Sequence, residues 1–111
     1  MKLILVMVVA ILAPVGSVLA GGVITTIKNI GTYGDGRVFV ELNAPIPQTG
    51  CDNIPRFDLN PDHVNSNKIL SIAMSAQATG NQVHVKVNDC HASGYPTMDE
   101  TSGSYIYMIG K

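Results

Sequence analysis

The sequence predicts a small, mainly β domain carrying one helix, in the order strand, strand, strand, helix, strand, strand. Three observations predict it. Alternating or β-branched runs at residues 22–30, 37–42, 83–87 and 103–109 carry the signature of half-buried strands. Residues 68–79 hold neither Gly nor Pro and stop at Gly80, the residue type that best takes the left-handed backbone closing a helix. Cys51 and Cys90 lie on either side of that helix, and two cysteines in an exported chain usually pair.

The first residues read as an export leader. Lys2 gives a positive start, residues 3–15 are apolar apart from Pro14, and Val18, Leu19 and Ala20 put small or modest side chains where a signal peptidase reads. A leader over residues 1–20, cut after Ala20, leaves a single domain over residues 21–111. The apolar run is short and interrupted by Pro14 and Gly16, which disfavours a transmembrane helix; an uncleaved anchor is the alternative. No cysteine lies near the cut for lipid attachment. The leader implies a secreted or periplasmic protein, and an oxidising compartment favours a Cys51–Cys90 bridge over two free thiols. A domain this small has a marginal core, which a bridge or an oligomer would supplement.

Residues 22–30 form the first expected strand, with Val23, Thr25 and Ile27 on one face and Ile24, Thr26 and Lys28 on the other. Residues 31–36 are a turn rich in residues that tolerate positive φ, and 37–42 return with Val38 and Val40 on one side. These glycines precede no helix, so a phosphate-cradling loop fails on context. Pro45, Pro47 and Pro55 keep residues 43–55 irregular, and Cys51 lies among them. Residues 56–59 make a third strand with Phe57 and Leu59 on one face. Asn65 and Ser66 can cap the first free N–H groups of the helix.

On a helical wheel Ile69, Leu70, Ile72, Ala73, Met74, Ala76 and Ala78 span roughly 240°, where a surface helix shows a stripe of about 100° or somewhat more. Burial on two sides is therefore expected. Either alanines, which tolerate exposure, widen the arc, or a second subunit covers its edge at Ile72, Met74 and Ala78. Val83, Val85 and Val87 then alternate with His84, Lys86 and Asn88, placing His84 on a solvent face. After a loop at 91–102, the last strand sets Tyr105, Tyr107 and Ile109 on one face and Ile106 and Met108 on the other. A helix between the third and fourth of five strands is the order of the five-stranded OB-fold barrel; a plain α+β sandwich fits the same periodicity.

Charge excludes several functions. With Lys2 in the leader, the basic residues Lys28, Arg37, Arg56, Lys68, Lys86 and Lys111 are scattered among eight acidic ones. No basic stripe marks nucleic acid or a membrane surface as a partner. His63, His84 and His91 lack the i, i+4 spacing of a helical metal site, and His91 beside Cys90 has too few thiols for zinc, so no metal or cofactor is expected. No G-x-S-x-G elbow occurs, a bridged cysteine cannot be a nucleophile, and adjacent Asp99 and Glu100 read as solvated loop residues. No residue is assigned a catalytic role. The loop carrying Ser93, Tyr95 and Thr97 combines an aromatic face with hydroxyls, the mixture that sugar sites use; a tyrosine covering one end of the barrel is the alternative.

The run Lys68-Ile69-Leu70-Ser71-Ile72-Ala73-Met74-Ser75-Ala76-Gln77-Ala78-Thr79-Gly80, followed by Val83-His84-Val85-Lys86-Val87 and Cys90, resembles the helix–strand–cysteine segment of the subtilase-cytotoxin B-subunit-like proteins. Cys51, after the second strand, matches the earlier cysteine of that pattern, and the resemblance covers about residues 38–90. Asp89 departs from it, standing where a glycine commonly precedes the second cysteine. The resemblance implies a small exported bacterial OB-fold protein. In the toxin members such subunits form a ring of five around their helices and bind surface glycans. The expected function is a non-enzymatic binding module of that kind, its partner a cell-surface glycan or protein and its assembly a homo-oligomer, a pentamer on the toxin pattern. The alternative is a small exported structural or inhibitor protein that meets another protein through the loop at 44–55.

Overall fold

A computed structural model describes residues 17–19, 22–47, 51, 54–90 and 94–110. Nine strands and one helix lie among them: β1 Ser17–Leu19, β2 Gly22–Thr25, β3 Ile27–Thr32, β4 Val38–Leu42, β5 Arg56–Leu59, α1 Ser66–Thr79, β6 Val83–Lys86, β7 Asp89–Cys90, β8 Pro96–Thr97 and β9 Tyr105–Met108. They build two sheets, β1-β2-β6-β9 and β3-β4-β5-β8-β7. The fold is thus mainly β with one helix, as the sequence predicts, but no closed barrel forms among the described residues. Neighbouring strands are antiparallel except β5 and β8.

The expected first strand explains the two-sheet arrangement. Val23, Thr25 and Ile27 are all buried, so the alternation runs through unbroken. The backbone nevertheless bends at Thr26, where Asn43 N–H donates to the Thr26 carbonyl at 3.1 Å and Asn43 Nδ2 to its Oγ1 at 2.7 Å. Before the bend the chain belongs to the first sheet, after it to the second, a common way of turning a corner between packed sheets. A register shift between Ile27 and Asn29 then leaves Lys28 without a cross-strand partner. That extra residue changes the phase, so Ile30 packs against the core beside buried Ile27.

The core lies between the sheets and under the helix. Val23, Val85 and Ile106 line up across the first sheet, and Val40 faces Phe57 across the second. Ile69, Ala73 and Ala76 close the core from α1, which packs against β3 and β9. Only this stripe of the wide apolar arc is buried. Leu70 and Ile72 are half-buried at its margins, Ala78 is exposed and Met74 is 58% exposed. The edge of the arc at Met74 and Ala78 is left uncovered within the single chain. The helix ends at Gly80, φ 74°, as predicted, but Asn65 makes no side-chain cap bond.

Cys51 and Cys90 form the predicted disulfide, Cα–Cα 5.6 Å. It ties the loop before β5 to β7, across 39 residues of sequence. Ser17–Leu19, assigned by sequence to the leader, pair with the outer edge of β2. No helix among the described residues is long and apolar enough to cross a membrane.

Candidate binding site

A groove of about 340 Å³ opens between α1 and the segment from Met98 to Ile106. Its floor is apolar: Ile69, Met98 and Ile106 are buried and Ile72 half-buried. Asn65, Lys68, Glu100, Thr101 and Tyr105 stand around the floor. Size and lining fall in the range of small-ligand sites, which are mostly apolar with a few placed polar groups.

Its two walls are held together by His63 and Glu100. The buried His63 ring accepts the Asn65 N–H at Nδ1, 3.0 Å, which puts its own proton on Nε2 for donation to the Asp99 carbonyl at 2.8 Å. Glu100 Oε2 accepts the Val64 N–H at 3.0 Å. These contacts take up the Val64 and Asn65 N–H groups just before the helix.

The second wall is a compact loop. Asp99 Oδ1 accepts from Thr101 N at 3.2 Å and from its hydroxyl at 2.9 Å. Thr101 in turn takes the Gly103 N–H on Oγ1. Ser104 Oγ accepts from Asn88 N at 2.8 Å and Asp99 N at 3.4 Å. Burial raises the Asp99 carboxyl pKa, but hydrogen bonds led by Ser104 and Thr101 outweigh it and hold the value below the ordinary one. Asp99 and Glu100 are therefore structural groups, not simply solvated ones. The D-x-T spacing of Asp99 and Thr101, a common side-chain-to-backbone turn pattern, was the available sequence signal.

Tyr105 links the groove to an aromatic patch on the outer face of β6 and β9. The His84 ring meets Tyr105 and Tyr107 edge-on, centroids 5.2 and 5.0 Å away, and the two tyrosines stack at 6.0 Å. His84 Nδ1 bonds the Tyr107 hydroxyl at 2.7 Å. His84 does lie on the outer face, as the alternation predicts, but the tyrosines leave it only 7% exposed, so the expectation of a solvated imidazole is corrected. Burial first, and Lys86 second, hold its pKa below the ordinary histidine value.

The residues singled out by sequence fall elsewhere. Tyr95 is half-buried with its ring 4.5 Å from the Arg56 guanidinium, and Thr97 is buried, donating its hydroxyl to the Tyr95 carbonyl. Ser93 lies outside the described residues. Tyr95 and Thr97 belong to a layer on the outer face of the second sheet. There Phe39 crosses Gly31, where an added Cβ would lie 2.4 Å from the ring. Arg56 sits over Tyr33, Phe39 and Tyr95, and Arg37 over Tyr33. Beneath them fully buried Asp58 accepts from Arg37 Nη1 at 2.9 Å and from the Tyr33 hydroxyl at 3.4 Å. Arg56 Nη2 donates to the Tyr33 hydroxyl. Burial, then Asp58, raise the Tyr33 pKa. Of the expected subunit contacts, Ile72 lines the groove while Met74 and Ala78 are on the open side of α1. No group of three or more metal-ligating side chains gathers among the described residues. No known family model, curated protein or solved structure matches the chain.

Proposed function

We propose that this chain is an exported, disulfide-pinned binding module of OB-fold-like strand order that holds a surface saccharide in the groove beside α1. The observation that carries this reading is the groove's composition. An apolar floor is ringed by a tyrosine, an amide, a hydroxyl and a lysine with no ion-pair partner among the described residues. A sugar offers the complementary surfaces, apolar C–H faces and a rim of hydroxyls. The leader and the Cys51–Cys90 bridge support export into an oxidising compartment. The resemblance of the helix–strand–cysteine segment to glycan-binding B subunits points the same way; the ring of five that it suggests is the alternative to the twofold pairing argued in the next subsection.

The test is a glycan array probed with the exported protein and with Lys68→Ala. Selective binding, weakened about tenfold by the substitution, or roughly 1.4 kcal/mol, is expected. An array silent for the wild type rejects the saccharide. Protein binding through the 44–55 loop is the second reading, favoured by buried Ala44 and Ile46, which anchor the start of that loop, and by the bridge at Cys51. A pull-down in which the partner is lost with Cys51→Ser but kept with Lys68→Ala separates the two.

A further inference from the structure

The two strands at the edge of the first sheet share one pattern. Ser17, Val18 and Leu19 stand opposite Ile24, Val23 and Gly22. Read along each strand, Ser17-Val18-Leu19 and Gly22-Val23-Ile24 are both small residue, valine, long aliphatic. A second β2 laid antiparallel on the first, about a twofold axis at Val23, repeats the ladder that β1 makes. The partner's Gly22 then takes the place of Ser17 opposite Ile24. The partner's Val23 takes that of Val18, and the partner's Ile24 that of Leu19 opposite Gly22. The register is even, so every residue keeps its face and the core side of one sheet continues into the core side of the other.

We propose that β1 is an intramolecular stand-in for a second copy, and that leader removal lets two mature chains join β2 to β2 in a six-stranded sheet, β9-β6-β2-β2-β6-β9. This rests on the export reading above, because the expected cut after Ala20 removes β1. Cleavage leaves the edge of β2 that faced β1, at residues 22–24, unpaired, an edge that proteins ordinarily cover. A second copy fits because the pattern is self-complementary, as a twofold interface requires. Gly22 contributes to the fit: a Cβ there would lie 2.8 Å from His84 Nε2, so no side chain at this position competes with the residue opposite.

The experiment is export of the full chain by its own leader, mass spectrometry of the recovered N-terminus, and light scattering of the product. A chain of residues 21–111 with dimer mass is expected. Ile24→Lys, on the outer face of the edge, should raise the dimer dissociation constant at least tenfold with an unchanged circular dichroism spectrum. A cleaved monomer, a cleaved pentamer or a dimer indifferent to Ile24→Lys overturns the proposal alone. An uncleaved product overturns it together with the export reading. Should Ile24→Lys fail to fold, Ile24→Cys serves instead: its two thiols would lie roughly 7–8 Å apart, diagonal across the Val23 pair. A short bis-maleimide should then give a covalent dimer, and its failure to do so also overturns the proposal.

Discussion

The groove beside α1 and the layer on the outer face of the second sheet are built from similar side chains and do different things. In the layer the charged groups face one another: Arg37 bonds Asp35 and Asp58 at 3.0 and 2.9 Å, and Arg56 bonds Tyr33 while its Nε lies 4.0 Å from Asp58. The rings of Tyr33, Phe39 and Tyr95 cover what remains. In the groove the hydrogen bonds of His63, Asp99 and Glu100 hold the walls, and Lys68 stays exposed without an ion-pair partner among the described residues. A polar cluster paired largely within itself covers the outer face of the second sheet. A polar rim around an apolar hollow is the arrangement on which the saccharide proposal rests.

The largest effect should come from the bridge that frames the layer. The disulfide joins β7, which reaches β5 through β8, to the loop entering β5. Cys51→Ser should lower stability by roughly 2–5 kcal/mol in denaturant unfolding, as native bridges in small exported domains do. The groove walls, in α1 and residues 98–106, have no bridge of their own, so ligand binding by the folded fraction should change less. Equal loss of binding and stability would dissolve the distinction between the two regions.

Asp58→Asn tests the layer directly. The shape is kept, but two partly buried guanidiniums lose their shared carboxylate. A loss of roughly 1.5–3 kcal/mol is expected, the scale of hydrogen bonds to charged groups. A change under about 0.5 kcal/mol would mean the arginines are satisfied by water and the layer does not depend on its buried anion. Lys68→Ala is the counterpart in the groove: stability within about 0.5 kcal/mol of wild type, with the loss confined to binding. A large stability loss there would make Lys68 a structural residue.

What the sequence could reveal followed from local rules. Alternating valines gave β4 and β6, Gly80 gave the helix end, and cysteine usage gave the bridge. No closed barrel forms among the described residues, and the passage of the first strand from one sheet to the other at Thr26 was illegible because its alternation runs on unbroken. The layer was invisible because it joins Tyr33, Arg37, Arg56, Asp58 and Tyr95, which lie on three separate segments. The groove was missed for a similar reason: Lys68 and Tyr105 are far apart in sequence, and Asp99 and Glu100 read as ordinary loop carboxylates. The alternation gave no sign that Arg56 would stand over one face of the Tyr95 ring.

The smallest expected effect tests the aromatic patch that adjoins the groove, and it is a pH dependence. Burial and Lys86 hold the His84 pKa below its unfolded value of about 6.5. Between those two pKa values the unfolded chain binds more protons at this position than the folded one, so stability falls with acidification there. The contribution is complete above about pH 6.5, declines as pH drops through the unfolded pKa, and levels off once pH is below the folded one. His84→Gln keeps a partner for the Tyr107 hydroxyl but cannot titrate, so its denaturation midpoint should vary less with pH across that window than the wild type's. Asp35 and Asp99, whose pKa values are also lowered, act further into acid, because a carboxylate titrates there. Their contribution is present above the unfolded carboxyl pKa and lost as pH falls through the folded one. Wild-type and His84→Gln profiles that stay parallel from pH 7.5 to 5 would mean that the tyrosines admit water freely to the imidazole.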